Sequence, residues 1–133
     1  MKIRVVSSKN EIGNLDENEE IVHLAFRPSN TDIFTIVSKC PHLKALHLPS
    51  SYRKTLSESA KMFLDMQGVD LLEGDVWGHR KDTNEYSEVS RNVYNKIDDL
   101  KNKGLSEGEI VKKMEMETNL SSDFLEFLIE QKI

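Results

Sequence analysis

Three polar segments carry the side chains best suited to bind an anion. Residues 27–30, 49–54 and 74–81 each follow a short apolar run. Arginine holds phosphate or carboxylate groups through paired hydrogen bonds, and serine hydroxyls can donate further bonds. The same residue types also suit ordinary turns and helix caps, so the pattern alone leaves both interpretations open. The candidate ligand-binding residues are Arg27, Ser29, Asn30, Ser50, Ser51, Arg53, Trp77, His79 and Arg80.

Four apolar runs rich in Val, Ile and Leu predict the β-strands that would position these segments. They alternate little with polar residues, which is typical of strands covered on both faces. Helix-like segments between them predict parallel pairing, and parallel pairing brings the carboxyl ends of the strands to one edge of the sheet. We therefore expect the three polar segments to border one cleft. The predicted strands are Ile3–Val6, Ile21–Phe26, Leu43–Leu48 and Val69–Leu72.

Two of the intervening segments have clear helix signals. Thr31–Lys39 follows Ser29 and Asn30 and stops before a proline. Thr55–Gln67 opens with Thr55 and Glu58 at the spacing of a capping box, and it precedes a glycine. The first connection, Ser8–Leu15, predicts only a weak helix because a glycine interrupts it.

A faint internal repeat links the second and third strands. Ile21-x-x-Leu24-x-Phe26 recurs 22 residues later as Leu43-x-x-Leu46-x-Leu48. This resembles the strand half of a leucine-rich repeat, but the asparagine of that repeat is missing. The pattern predicts stacked strand–helix units rather than a member of the repeat family.

His23 and His47 occupy the middle of the second and third predicted strands, on the face that also carries Ala25 and Ala45. Two histidines suggest a metal pair, but those strands contain no Asp, Glu or Cys to complete a coordination sphere. We therefore predict no metal and no cofactor. The small alanines instead favour a helix packed closely against a buried face.

Catalytic arrangements are poorly supported by the sequence. Ser50, Ser51 and His79 suggest a nucleophile and a base, with Asp75 to orient the histidine, but the nucleophile-elbow pattern is absent. We assign no catalytic residue. A non-enzyme is favoured, while a minor enzymatic activity at the strand ends stays open.

Composition narrows the class of protein. The 133 residues are 38% hydrophobic and 31% charged, which is typical of a globular domain. No apolar run reaches the roughly 20 residues of a membrane-spanning helix, and the N-terminus lacks the features of a signal peptide. The single cysteine, Cys40, lies in an apolar stretch and is expected to fill the core. Together these features predict a cytoplasmic protein without membrane association.

The C-terminal region is helical in pattern and acidic in charge. From Asp82 onward an apolar stripe runs from Tyr86 to Leu100, and Ser106 with Glu109 forms a second capping box. A last helix begins at residues 121–123. Residues 1–81 balance 11 basic against 11 acidic residues, whereas residues 82–133 hold 7 against 12. The whole net charge of −5 therefore lies in this region.

Residues 103–114 resemble the lead-in and first helix of a helix-turn-helix, with 120–129 as its recognition helix. That second helix carries Asp123, Glu126 and Glu130. Affinity for phosphates comes from Lys and Arg, so we predict that nucleic acid is not the partner. The helical hairpin is more plausible as cover for the core or as a protein-binding surface.

Three local strings resemble a small archaeal family of conserved proteins of unknown function. They are Met1-Lys2-Ile3-Arg4-Val5-Val6-Ser7-Ser8, Phe26-Arg27-Pro28-Ser29-Asn30 and Leu48-Pro49-Ser50-Ser51-Tyr52. The resemblance spans the chain and implies no activity, cofactor or site residue.

The sequence therefore predicts an α/β protein with a parallel sheet of about four strands and three C-terminal helices packed on it. We expect region 1–81 to contain the sheet and region 82–133 to pack on it as one domain. The favoured function is a non-enzymatic binding or protein-interaction protein that self-associates or binds a protein partner. The alternatives are a binder of a small anion, or a minor enzyme, at the strand ends, and then a nucleic-acid-associated regulator.

Overall fold

A five-stranded sheet forms the centre of the computed structural model, which describes residues 2–74, 86–118 and 120–131. The strand order is β4-β3-β2-β1-β5. The first four strands are parallel, as the sequence predicts, and β5 is antiparallel to β1. The strands are β1 (Lys2–Val6), β2 (Ile21–Leu24), β3 (Ala45–Leu48), β4 (Asp70–Glu73) and β5 (Tyr86–Glu88).

The helices follow the predicted order with one addition, the short α2. A 3-10 helix (Lys9–Asn14) takes the place of the weak first helix. The α-helices are α1 (Asn30–Lys39), α2 (Ser50–Arg53), α3 (Glu58–Met66), α4 (Arg91–Asn102), α5 (Glu107–Glu117) and α6 (Ser122–Gln131). In the part of the chain that the structure describes, no helix is long and apolar enough to cross a membrane.

Both faces of the sheet are covered, which explains the nearly continuous apolar runs of the strands. Successive side chains point to opposite faces. Val22, Leu24, Leu46 and Leu48 pack in one cluster with α1 and α3. Ile3, Ile21, Ala45 and Leu72 pack in a second cluster with α4, α5 and α6. The predicted docking of the three C-terminal helices on the sheet is therefore confirmed.

The face of the two histidines is buried, as predicted. His23 and His47 are 3% and 2% exposed, and Ala45 is fully buried. Ala25 lies just beyond the end of β2 and is partly buried. The repeat would align Ile21 with Leu43, but the structure pairs Ile21 with Ala45 and His23 with His47. A shift of two residues keeps every side chain on its face, so the predicted arrangement survives the change of register.

The prediction that the helical stripe begins at Tyr86 is wrong. Tyr86–Glu88 forms β5, whose backbone pairs with Lys2–Arg4 of β1, and α4 begins only at Arg91. Three residues are too few to show a strand period, whereas Val89, Val93 and Ile97 keep the helical spacing. The edge of β1 determines the structure of residues 86–88.

The start of α3 also differs from the prediction. Ser57, and not Thr55, is the N-cap: its hydroxyl accepts the N–H of Ala60 at 3.0 Å. The Thr55 hydroxyl donates instead to the carbonyl of Tyr52 at 3.0 Å, at the end of α2. Thr55 and Ser57 both have suitable side chains, but the Thr55 hydroxyl is bonded to Tyr52, so Ser57 caps α3.

Candidate functional site

The polar residues after β2 act mainly on the local structure of α1. Ser29 caps α1, with its hydroxyl accepting the Asp32 N–H at 3.2 Å while the Asp32 carboxylate accepts the Ser29 N–H at 2.9 Å. Asn30 begins α1, and its side-chain oxygen accepts the hydroxyl of Ser57 at 2.8 Å. Ser29 therefore has a capping role, whereas Asn30 links the start of α1 to the residue that caps α3.

Arg27 and Tyr52 bring the second and third strand ends together. The Arg27 guanidinium lies 5.5 Å from the centre of the Tyr52 ring, and Arg27 is exposed. Ser50 and Ser51 form the first turn of α2 beside Tyr52, and both are exposed. Among the described residues, Arg27 has no carboxylate partner. The exposed Arg27 guanidinium and the Tyr52 ring therefore lie together at this edge of the sheet.

Arg53 has a different environment. It donates to a carboxylate oxygen of Glu73 at 3.0 Å, on the outer strand of the sheet. It also borders a groove of about 280 Å³ between β4 and α6, whose other lining residues include Asp70, Glu126 and Phe127. Arg53 therefore lies beside an acidic groove, whereas Arg27 lies beside the ring of Tyr52. Trp77, His79 and Arg80, together with Asp75, lie outside the described residues, and ligand binding at the whole set stays a prediction.

His23 and His47 form a hydrogen-bonded pair in the core. Their Nδ1 atoms are 2.7 Å apart, so one ring donates and the other accepts. Two nitrogens bound to one zinc ion at about 2.0–2.1 Å, in tetrahedral geometry, lie farther apart than this. The contact therefore has the geometry of a hydrogen bond rather than of a metal bridge. The Phe124 ring of α6 covers the pair, with its centroid 5.5 Å from that of His47.

The first turn of α6 is packed against the end of β4. The Glu73 N–H donates to the Asp123 carboxylate at 2.9 Å. Gly74 follows at φ +150°, and a Cβ placed on it would lie 2.7 Å from Ser121 Cβ and 2.8 Å from His47 Nε2. Only a residue without a side chain lets β4, His47 and the start of α6 approach this closely.

Three helices, α4, α5 and α6, follow one another in the C-terminal region. The predicted capping box at the start of α5 is present, with the Ser106 hydroxyl accepting the Glu109 N–H at 3.3 Å. Because the Glu109 carboxylate accepts hydrogen bonds from the Ser106 backbone and hydroxyl, its pKa is lowered. α6 covers most of residues 120–129, the segment that the sequence predicts as a recognition helix. The buried side of α6 consists of Phe124, Leu125, Phe127, Leu128 and Ile129.

Comparison with known protein families identifies both halves of the chain. Residues 2–85 match the N-terminal domain of DUF1699, a family of unknown function, and residues 92–130 match the DUF1699 C-terminal HTH domain. The chain belongs to the DUF1699 family. The predicted resemblance to a family of unknown function is confirmed, while an archaeal origin stays a prediction. No curated protein and no solved structure matches the chain.

The DUF1699 helix-turn-helix presents an acidic surface. Glu126 and Glu130 are exposed on α6, and its first turn is occupied by the contacts of Ser121 and Asp123 with the end of β4. In a DNA-reading unit, the N-terminal residues of the recognition helix contact base edges. Sequence reasoning located this helix and its charge. It missed the contact with β4, for which Gly74 directly after a strand was the only local signal.

Proposed function

We propose that this DUF1699 protein is a non-enzymatic protein-interaction protein that self-associates or binds another protein. In this proposal, the helix-turn-helix serves as a fixed cover of the sheet rather than as a reader of DNA. The observation that supports it is the hydrogen bond from the Glu73 N–H to Asp123 at 2.9 Å. This hydrogen bond holds the first turn of α6 against β4. In a DNA-reading unit, that turn would enter the major groove.

Charge supports the same proposal. The outward side of α6 carries Glu126 and Glu130, and Asp123 lies at its start. Carboxylates on the recognition helix repel DNA phosphates, and non-specific affinity for DNA comes almost entirely from cations. Lys112 and Lys113 of α5 are exposed, but four glutamates are exposed on the same helix. α5 therefore adds no net positive charge that could attract DNA phosphates.

A second candidate function is the binding of a small anion beside Arg27. The exposed guanidinium above Tyr52 favours it, and the hydroxyls of Ser50 and Ser51 lie in the helix that contains Tyr52. Arg53 is the weaker candidate because Glu73 already neutralises it. This function is compatible with the first, since one protein can use separate surfaces for a small anion and for a protein partner.

Native mass spectrometry of the tagged protein purified from cells, with and without nuclease, tests the proposed function. We expect an assembly that contains protein only, whose mass exceeds that of one chain and does not change on nuclease treatment. A single uncomplexed chain, or an assembly that contains nucleic acid and falls apart with nuclease, would contradict it.

A further inference from the structure

The outer edge of β4, the last strand in the sheet order, is open to a further strand. The Gly74 N–H donates to the carbonyl of Leu48 in β3 at 3.0 Å. The Glu73 N–H points the other way and donates to Asp123. The N–H and C=O groups of successive strand residues alternate in direction, so those of Leu71 also point outwards. Nothing in the described part of the chain bonds to the Leu71 N–H or C=O.

The groove between β4 and α6 lies along this edge. Its volume is about 280 Å³, and its apolar lining includes Leu72 and Phe127, which are 7% and 2% exposed. Arg53, the one basic residue among the described lining residues, is paired with Glu73 at 3.0 Å. The acidic lining residues are Asp70, Asp123, Glu126 and Glu130. The groove is therefore negatively charged and partly apolar.

The glutamates of α6 have nearly the spacing of side chains in an extended chain. The stripe of α6 that lines the groove runs from Asp123, which contacts the end of β4, to Glu130. Within it, Glu126 and Glu130 are exposed and stand about 6 Å apart along the helix axis. In an extended chain, every second side chain points to the same face, at intervals of about 6.6 Å. An extended segment along β4 therefore presents alternate side chains to the two glutamates.

We propose that the groove between β4 and α6 binds an extended segment of another protein that carries Lys or Arg at alternate positions. The segment adds to β4 as an antiparallel strand. Its central residue exchanges hydrogen bonds with the N–H and C=O of Leu71, and the basic side chains on either side of that residue pair with Glu126 and Glu130. The inference rests on the proposed function and names the class of partner.

The direction of the side chains follows from β4 itself. Leu71 packs with the cluster of α1 and α3, whereas Leu72 packs with the cluster of α6. A residue directly opposite Leu71 shares its face, so the two neighbours of that residue point to the face of Leu72 and α6. Antiparallel pairing lets a single residue form both bonds to Leu71. The expected order in the segment is therefore basic, any residue, basic.

Charge complementarity determines the chemistry of the occupant. The acidic lining of the groove repels phosphates and carboxylates and attracts ammonium or guanidinium groups. In strand addition, main-chain hydrogen bonds give affinity and alternate side chains give specificity. Because only Leu71 offers both backbone groups and the glutamates are exposed, we expect a weak complex that weakens further as salt screens the charges.

Fluorescence anisotropy of a labelled peptide, titrated with the full chain at low salt, tests the groove. The probe is Gly-Thr-Lys-Val-Lys-Thr-Gly, whose valine lies opposite Leu71 in the proposed complex. The control peptide, Gly-Thr-Val-Lys-Lys-Thr-Gly, has the same composition and charge but adjacent lysines. The probe should bind at least about fivefold more tightly, since the control directs only one lysine at a time to α6. Equal affinities, or no binding of the probe, would overturn the proposal.

Variants of the chain locate the binding site. Glu126→Gln/Glu130→Gln should weaken binding of the probe at least about fivefold. Glu107→Gln/Glu115→Gln is the matched control, because it removes the same charge from exposed side chains of α5 and should change the affinity by less than about twofold. Equal weakening by the two double variants would show that only the net charge of the chain attracts the peptide, and the site would be wrong.

Modified peptides test the pairing with β4. Methylation of the valine nitrogen removes the N–H that bonds to Leu71 and should weaken binding at least about tenfold. Methylation of the nitrogen of the first lysine, whose N–H points away from β4, should weaken it by less than about threefold. If the valine modification is not the more harmful of the two, the segment does not add to β4.

The outcomes separate this inference from the proposed function. A chain that forms a protein-only assembly in cells but does not bind the probe overturns the groove inference alone. An assembly that requires nucleic acid overturns the proposed function, whatever the peptide does. Circular dichroism of each variant confirms that the substituted chains are folded.

Discussion

The Nδ1 atoms of His23 and His47 lie 2.7 Å apart beneath α6, in a core where both rings are almost completely buried. Replacing one histidine by leucine leaves the Nδ1 of the other without this bond, at a cost of about 1–3 kcal/mol. Replacing both removes the two polar groups together. We expect the double variant to be less destabilised than the sum of the single variants by about 1 kcal/mol.

Urea unfolding of the four proteins in this double-mutant cycle at pH 7 measures the coupling. Additive effects of the two substitutions would show that the contact between the two Nδ1 atoms does not stabilise the fold.

Gly74→Ala should destabilise the protein and loosen α6. The new Cβ would meet Ser121 and His47 at 2.7–2.8 Å, and φ is +150° at this position. Backbone strain and overpacking each cost about 1–3 kcal/mol, so we expect a loss of at least about 2 kcal/mol in thermal or urea unfolding.

Gly108→Ala is the matched control for this substitution. Nothing lies within 4 Å of a Cβ at Gly108, which is in the first turn of α5. Alanine favours helix, so the variant should be more stable by about 0.5 kcal/mol. Equal effects of the two substitutions would show that α6 does not pack on Gly74 as described.

An anion that binds at the strand ends should depend on Arg27. In a thermal-shift screen of phosphates, nucleotides and carboxylates, any stabilisation of wild type should be lost in Arg27→Ala, since a ligand that binds only the folded chain raises its melting temperature. Arg53→Ala should keep that stabilisation because Glu73 already pairs with Arg53.

Without ligand, the Arg27→Ala variant should differ from wild type by less than about 0.5 kcal/mol. If no anion shifts the melting temperature of wild type, the anion-binding candidate is wrong.

Cys40 should be nearly inert while the protein is folded. Burial, with the negative charge of Glu19 as a further cause, raises the pKa of its thiol to about 11 from an ordinary 9.0. At pH 8 this difference alone makes the thiolate about 100-fold scarcer than in the unfolded chain. Iodoacetamide should therefore label the native protein at least about 100-fold more slowly than the urea-unfolded protein, and similar rates would contradict the burial of Cys40.

The sequence predicted the parts of the fold whose signals are local. The parallel strands, α1 after Ser29, and the capping box at Ser106 follow from apolar periodicity and cap chemistry. Burial of the His23–His47 face was predicted from two small alanines, which favour a closely packed helix.

The remaining features depend on contacts between distant parts of the chain. β5 is only three residues long and is determined by the free edge of β1. Asp123 and Glu73 are separated by 50 residues, and no local pattern links them. Met62 and Met66 stand one turn apart on the exposed side of α3, away from Leu64, and the predicted helix signals do not bear on that side.

Fluorescence anisotropy of a labelled DNA duplex, titrated with wild-type protein at low and at physiological salt, tests the central claim most directly. Because Glu126 and Glu130 face outward and Asp123 is bonded to β4, we predict no measurable binding at physiological salt. Glu126→Lys/Glu130→Lys, which reverses the charge of this surface, should bind more tightly than wild type at low salt. Sub-micromolar, salt-dependent binding by wild type would contradict the account and would make the helix-turn-helix a DNA-binding unit.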